Sequence, residues 1–114
     1  FNSDSFPSSI RYWPSDGNSI TVTNKVTFNK WTNFTVTQAG TSAVIYKNGL
    51  SVGTSSLLND TIPSLGSSKV RIGNSEAGNR CFDGRIAQVH VYNRTLTASE
   101  VLQNYNAHKE RFGL

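Results

Sequence analysis

The chain has 114 residues, enough for one domain with a modest core. Its formal charge is +4, but the eleven Lys and Arg are spread along the sequence, so a solvated, mildly basic surface outweighs a nucleic-acid footprint. No apolar run approaches the length of a membrane span and no leader peptide is visible, so neither nucleic acid nor membrane is an expected partner.

The first 19 residues are polar and turn-rich, with Pro7, Pro14 and Asp16-Gly17, and Ile10, Tyr12 and Trp13 mark a short strand among loops. From Ile20 to Phe28, Ile20, Val22, Val26 and Phe28 alternate with Thr and Lys, predicting a strand broken at Asn24-Lys25. Trp31 to Thr37 reads as a strand because it is dense in β-formers, and within it Trp31 is expected in the core. Gln38 to Thr41 is a turn, and Ala43 to Lys47 is the next strand. Asn48-Gly49 is a type I′ hairpin signal that returns the chain along Leu50 to Thr54. Residues 55–68 form a connection, Lys69 to Ile72 a strand stopped by Gly73-Asn74, and residues 74–80 an exposed loop.

The closing 33 residues carry the clearest local code. Ala87, Val89 and Val91 alternate with Gln88, His90 and Tyr92, which predicts a core strand continuing Ile86, with a bend at Gly84. After a turn at Asn93-Arg94, Thr97-Ala98-Ser99-Glu100 is a capping box, and Leu96 and Val101 occupy the staple positions around it. Val101, Leu102 and Tyr105 form the apolar stripe of a short helix, and Lys109 and Arg111 suit the negative end of its dipole. The expected fold is therefore all-β, an antiparallel β-sandwich with one short C-terminal helix, in a single domain over 1–114. The chain begins at Phe1 and contains no Met, and the expectation is a fragment or a processed product.

The chemistry-bearing residues give little support to catalysis. Cys81 stands alone, so it forms no internal disulfide, and His90 and His108 are the only candidate bases for a thiol nucleophile. The seven acids are Asp4, Asp16, Asp60, Glu76, Asp83, Glu100 and Glu110; no two lie two or four residues apart, and Glu100 is engaged in the cap, so an enzyme is not expected. Asp16 with Asn18, and Asn74 with Glu76 and Asn79, could contribute oxygen ligands to calcium, but exposed loop surface is the better reading; no metal and no cofactor are expected. Two groups suit a sugar: Tyr12, Trp13, Asp16 and Asn18, and Asn74, Glu76, Asn79 and Arg80. His90 would join them on a concave face. Rim or core packing is favoured for Trp13, about two to one, and a hydrogen-bonded surface position for His90.

Four stretches resemble laminin-G-like, concanavalin A-like jelly rolls: Trp31–Thr37, Ile45-Tyr46-Lys47-Asn48-Gly49, Val70-Arg71-Ile72-Gly73, and Phe82-Asp83-Gly84-Arg85-Ile86 through Tyr92-Asn93-Arg94-Thr95-Leu96. Their order covers roughly residues 26–102. The ending Asn104-Tyr105-Asn106-Ala107 to Arg111-Phe112-Gly113-Leu114 is similar to endings of such domains in tailed-phage virion proteins. The resemblance implies strands upstream of the Trp31 strand that are absent or shortened here, as in the C-terminal part of a longer chain, leaving sheet edges that need a partner. It implies a non-enzymatic virion structural module, a capsid decoration or tail-fibre component. Its partners would be other virion subunits, as a homo-oligomer, with Arg111, Phe112 and Leu114 docking onto a neighbour. The alternatives are a carbohydrate-binding module that attaches to a cell-surface glycan, with an extracellular or cell-surface location, and an accessory domain of a secreted glycan-active enzyme.

Overall fold

The computed structural model describes residues 8–14, 18–56, 58, 70–74 and 81–114. Strands β1 (Ile10–Tyr12) and β2 (Ile20–Val22) form a two-stranded antiparallel sheet, with Tyr12 opposite Ile20. The predicted strand from Ile20 stops at Val22. Asn24 takes a left-handed φ of 55°, which breaks the extended run at the expected place. The Ser8 carbonyl then accepts from the backbone N–H groups of Lys25 and Val26, tying the start of one segment to the end of the other.

The second sheet holds β3 (Phe34–Ala39), β4 (Ser42–Lys47) and β5 (Leu50–Ser55) in that order, all antiparallel. Asn48 and Gly49 have φ of 51° and 80°, the two positive values that a type I′ turn requires. The expected strand at Trp31 begins three residues later, and the hairpin explains why. Beyond the Phe34–Lys47 pair the partner strand has already turned. Asn33 is instead held by the turn residue, its carbonyl accepting from Asn48 N–H at 2.9 Å and its N–H donating to Asn48 Oδ1 at 3.0 Å. At the other end the ladder runs to Ala39 opposite Ser42, closed by Gly40-Thr41.

β4 is buried on both faces, and this organises the domain. Ala43 and Ile45 point to one side, where they join Ile20, Val22 and Leu58 in the larger apolar cluster. Tyr46 points to the other, packing with Leu96 and Val101 and, at its edge, Val44. The first sheet thus covers one face of the second and the helix covers the other. Gly53 lies where the sheets meet: a Cβ there would come within 2.2 Å of Val22 Cγ1, so the missing side chain sets the closeness of β2 to β5. Full burial of Ile45 or Val101 contributes about 1.5–3 kcal/mol each.

Helix α1 (Ala98–His108) starts as its sequence directs. Thr97 Oγ1 accepts from Glu100 N–H at 3.2 Å, and a Glu100 carboxylate oxygen accepts from Thr97 N–H at 2.9 Å, a complete capping box. Leu96 and Val101 are both buried in the same cluster, as a staple should be. Leu102 and Tyr105 lie over the hairpin turn, close enough that a Cβ on Gly49 would meet both. A 3₁₀ turn (Lys109–Phe112) follows and ends at Gly113, in the left-handed region with a φ of 66°.

Two predicted strands are not formed. Val70 to Ile72 carries no ladder with any described strand and is exposed; among the described residues nearby, Asn74 and Cys81 form an isolated bridge. The predicted core strand Ile86–Tyr92 is likewise neither hydrogen-bonded into a described sheet nor buried, and Val91 is 91% exposed. Alternation specifies which face of a strand is apolar, but a strand also needs a neighbouring edge, and no described strand is hydrogen-bonded to this segment. Lys69 and residues 75–80 lie outside the described residues.

Candidate functional site

A cleft of 660 Å³ opens between three parts of the chain: Val26–Phe34, Phe82–Gln88, and the end of α1 with the 3₁₀ turn. Its size falls in the range of small-ligand sites. Asn29 has a φ of 59°, and the turn it makes presents Phe28 and Trp31 on either side of it. Trp31 is therefore not a core residue as expected; it is 39% exposed and lines the cleft. Its ring rests against Phe112, with centroids 5.3 Å apart and planes tilted by 51°, and Phe28 stands more open at 61% exposure. Tyr105 and Leu114 add to the apolar lining. Phe112 and Leu114, expected to dock onto a neighbour, thus converge with Trp31 on one concavity. The Leu114 N–H is fixed there by the Lys109 carbonyl at 2.9 Å.

The polar lining has a definite sign. Among the described residues, Lys30, Arg85 and Lys109 border the cleft with one side-chain carboxylate, Asp83. Asn29, Asn33 and Gln88 supply amides, and His108 completes the wall at the helix end. Lys109 also sits over the Tyr105 ring, 5.9 Å from its centre, and Arg111 over the Phe112 ring at 5.7 Å.

The first expected sugar cluster does not assemble among the described residues. Tyr12 is half-buried and donates its hydroxyl hydrogen to Gln38 Oε1 at 2.7 Å; burial raises its pKa. Trp13 is exposed, as a platform must be, but the Arg11 guanidinium lies 4.9 Å from its ring centre. Asn18 is exposed and Asp16 lies outside the described residues. Of the second cluster, Asn74 is exposed and bridges Cys81, while Glu76, Asn79 and Arg80 lie outside the described residues. His90 is exposed and set edge-on to His108 (5.8 Å between ring centres) and near Tyr92 (6.4 Å), so it braces the segment Ile86–Tyr92 against α1. Among the described residues no three of His, Cys, Asp and Glu come together as a metal site, and no helix is long and apolar enough to cross a membrane. Cys81 is a free, exposed thiol.

The strongest polar network fastens the turn before the helix. Arg94 pairs bidentately with Glu100, at 2.9 and 2.8 Å, while Glu100 also closes the cap. The Arg94 hydrogen bonds, then that from Thr97 N–H, hold the Glu100 carboxyl down at about 2. Thr95 Oγ1 donates to the Gln38 carbonyl and Asn104 Nδ2 to the Tyr92 hydroxyl, so both ends of the turn are anchored.

The model of the concanavalin A-like lectin/glucanases superfamily, in its laminin-G form, matches residues 2–102. The chain belongs to this superfamily. The match, the two antiparallel sheets and the short helix agree with the all-β sandwich expected from the sequence, and the matched region begins upstream of the four stretches that suggested it. Among solved structures, the chain is similar to residues 221–444 of an S-layer domain-containing protein from Clostridium thermocellum ATCC 27405. The two share 28% identity with a TM-score of 0.63 over 77% of this chain, and the chain spans 45% of that solved chain. No curated protein matches it.

Sequence reasoning missed the cleft because its parts lie far apart: Lys30, Arg85 and Lys109 are spread over most of the chain. One local signal was available. The two aromatics Phe28 and Trp31 flank Asn29-Lys30, a pair suited to a left-handed turn and not to a strand interior.

Proposed function

We propose that the chain is a non-catalytic interaction module of a surface assembly, working in a virion as a capsid decoration or tail-fibre component through contacts with neighbouring subunits. The observation that carries this reading is the segment Ile86–Tyr92. It alternates valine with polar residues, joins no sheet among the described residues, and leaves Val89 and Val91 in solvent. An exposed segment of strand-forming sequence is a site for pairing with another chain, in which main-chain bonds give strength and alternate side chains give specificity. The similarity of the ending to tailed-phage virion domains supports the virion. The similarity to an S-layer domain-containing protein supports a surface location, which could equally be a cell surface or the extracellular space. The spacing of the seven acids, with no two placed two or four residues apart, supports a non-enzymatic role.

Quantitative mass spectrometry of intact particles from the source tests this reading. Many copies per particle support decoration of a capsid, and a few support a fibre. Complete absence overturns the virion reading.

A second reading, a carbohydrate-binding module for attachment, is favoured by the cleft. Flat aromatic faces at Trp31 and Phe28 suit the apolar faces of sugar rings, and Asn29, Asn33 and Gln88 suit their hydroxyls. An accessory domain of a glycan-active enzyme would use the same cleft.

A further inference from the structure

We infer that the cleft takes an anionic glycan, a chain bearing carboxylate or sulfate groups. The inference rests on the carbohydrate-binding reading and adds the chemical class of the ligand. Among the described residues the lining of this 660 Å³ concavity carries three cations, Lys30, Arg85 and Lys109, and one side-chain carboxylate, Asp83. Like charges gathered in a partly enclosed space repel one another, and a ligand of opposite charge relieves that repulsion. The formal charge of +4 on the whole chain adds long-range attraction of the same sign.

The aromatic groups decide between anionic ligands. Trp31 is fixed by its contact with Phe112, so it offers a platform that is already ordered, at small entropic cost on binding. An apolar platform flanked by amides and cations matches a sugar ring that carries hydroxyls and an acid on its edge. An acidic peptide would use the cations and leave the platform idle. A single-stranded nucleic acid would stack on it, but its closely spaced phosphates call for a continuous basic track, and the basic residues here are few and local.

The test is a titration of the whole chain followed by NMR, reading the backbone amide signals of the residues that line the cleft together with the Trp31 indole signal, the amides alone serving for the Trp31 variant. The probes are a sulfated glycosaminoglycan hexasaccharide, oligogalacturonate, a neutral cello-oligosaccharide, oligothymidylate and polyglutamate. The expected result is binding of at least one acidic oligosaccharide, weakened roughly tenfold by raising salt from low to several hundred millimolar. The variant combining K30Q, R85Q and K109Q should weaken it at least tenfold with an unchanged melting temperature, and Trp31→Ala should abolish it. Equal binding of the neutral oligosaccharide would overturn the charge claim and leave the carbohydrate reading standing. Binding of no sugar would overturn both. Equal or stronger binding of oligothymidylate or polyglutamate would overturn the glycan claim in favour of a general polyanion surface.

Discussion

Two segments of this chain both carry strand-forming sequence and reach opposite ends, β4 being apolar throughout Ala43-Val44-Ile45-Tyr46 and the closing segment alternating apolar with polar residues. In β4, Ala43 and Ile45 alternate with Val44 and Tyr46, the strand is bonded on both edges, and Ile45 is wholly buried. In Ile86–Tyr92, Ala87, Val89 and Val91 alternate with Gln88, His90 and Tyr92, yet the segment joins no described sheet and its valines face solvent. The difference lies in what surrounds each. β4 follows β3 across a two-residue turn and precedes β5 across another, so its partners are delivered by local chain reversal. The closing segment has a turn and a helix after it and a loop before it, so any partner strand must come from a distance. A pattern of alternation is a capacity to pair, and topology decides whether it is used.

The comparison predicts unequal responses to the same kind of change. Ile45→Ala should lower unfolding free energy by about 2–5 kcal/mol, because it leaves a cavity between the sheets. Val91→Ala in the isolated chain should stay within about 0.5 kcal/mol. Urea denaturation of the two variants reads both, and a large cost at Val91 would break the comparison.

Adding a methyl group sharpens it. Gly53→Ala places a Cβ against Val22 in the packed interface and should cost about 1–3 kcal/mol. Gly84→Ala meets first the edge of the exposed Phe82 ring, which can swing away, so its cost should be much smaller on the same assay.

Thr97→Ala should cost about 1 kcal/mol, seen as a lower melting temperature, because it removes the Oγ1 acceptor for Glu100 N–H. The smallest effect is electrostatic. The Glu100 carboxyl is held at about 2 when folded, below its ordinary 4.5, so its contribution is complete above about pH 4.5 and fades as pH falls towards 2. Circular dichroism across that window should show helix content falling with acid, and Glu100→Gln should flatten the part of the curve due to this group.

The local code was read well where local physics suffices. Asn48-Gly49 needed only its own φ angles, and Thr97 with Glu100 needed only three residues of spacing. The all-β character and the helix followed from such signals. The closing strand was misread because its formation depends on an edge that alternation cannot supply. Trp31 was misread as core because density in β-formers says nothing of which residues the hairpin turn will claim; Asn48 claimed Asn33 and left Trp31 outside the ladder. The cleft was illegible in sequence because Lys30, Arg85 and Lys109 come to line one concavity only after the chain has folded, while Trp13, for which rim or core packing was favoured over a sugar platform, is exposed beneath an arginine.

The central proposal is that Ile86–Tyr92 becomes a strand by pairing with a neighbouring subunit. Hydrogen–deuterium exchange, run on the free chain and on intact particles from the source, tests it most directly. The account predicts fast exchange of the Ile86–Val91 amides in the free chain, while Ile45 and Tyr46 stay protected, and strong protection of both segments in the particle. Protection of Ile86–Val91 in the free monomer, or fast exchange of that segment in the assembled particle, would contradict it.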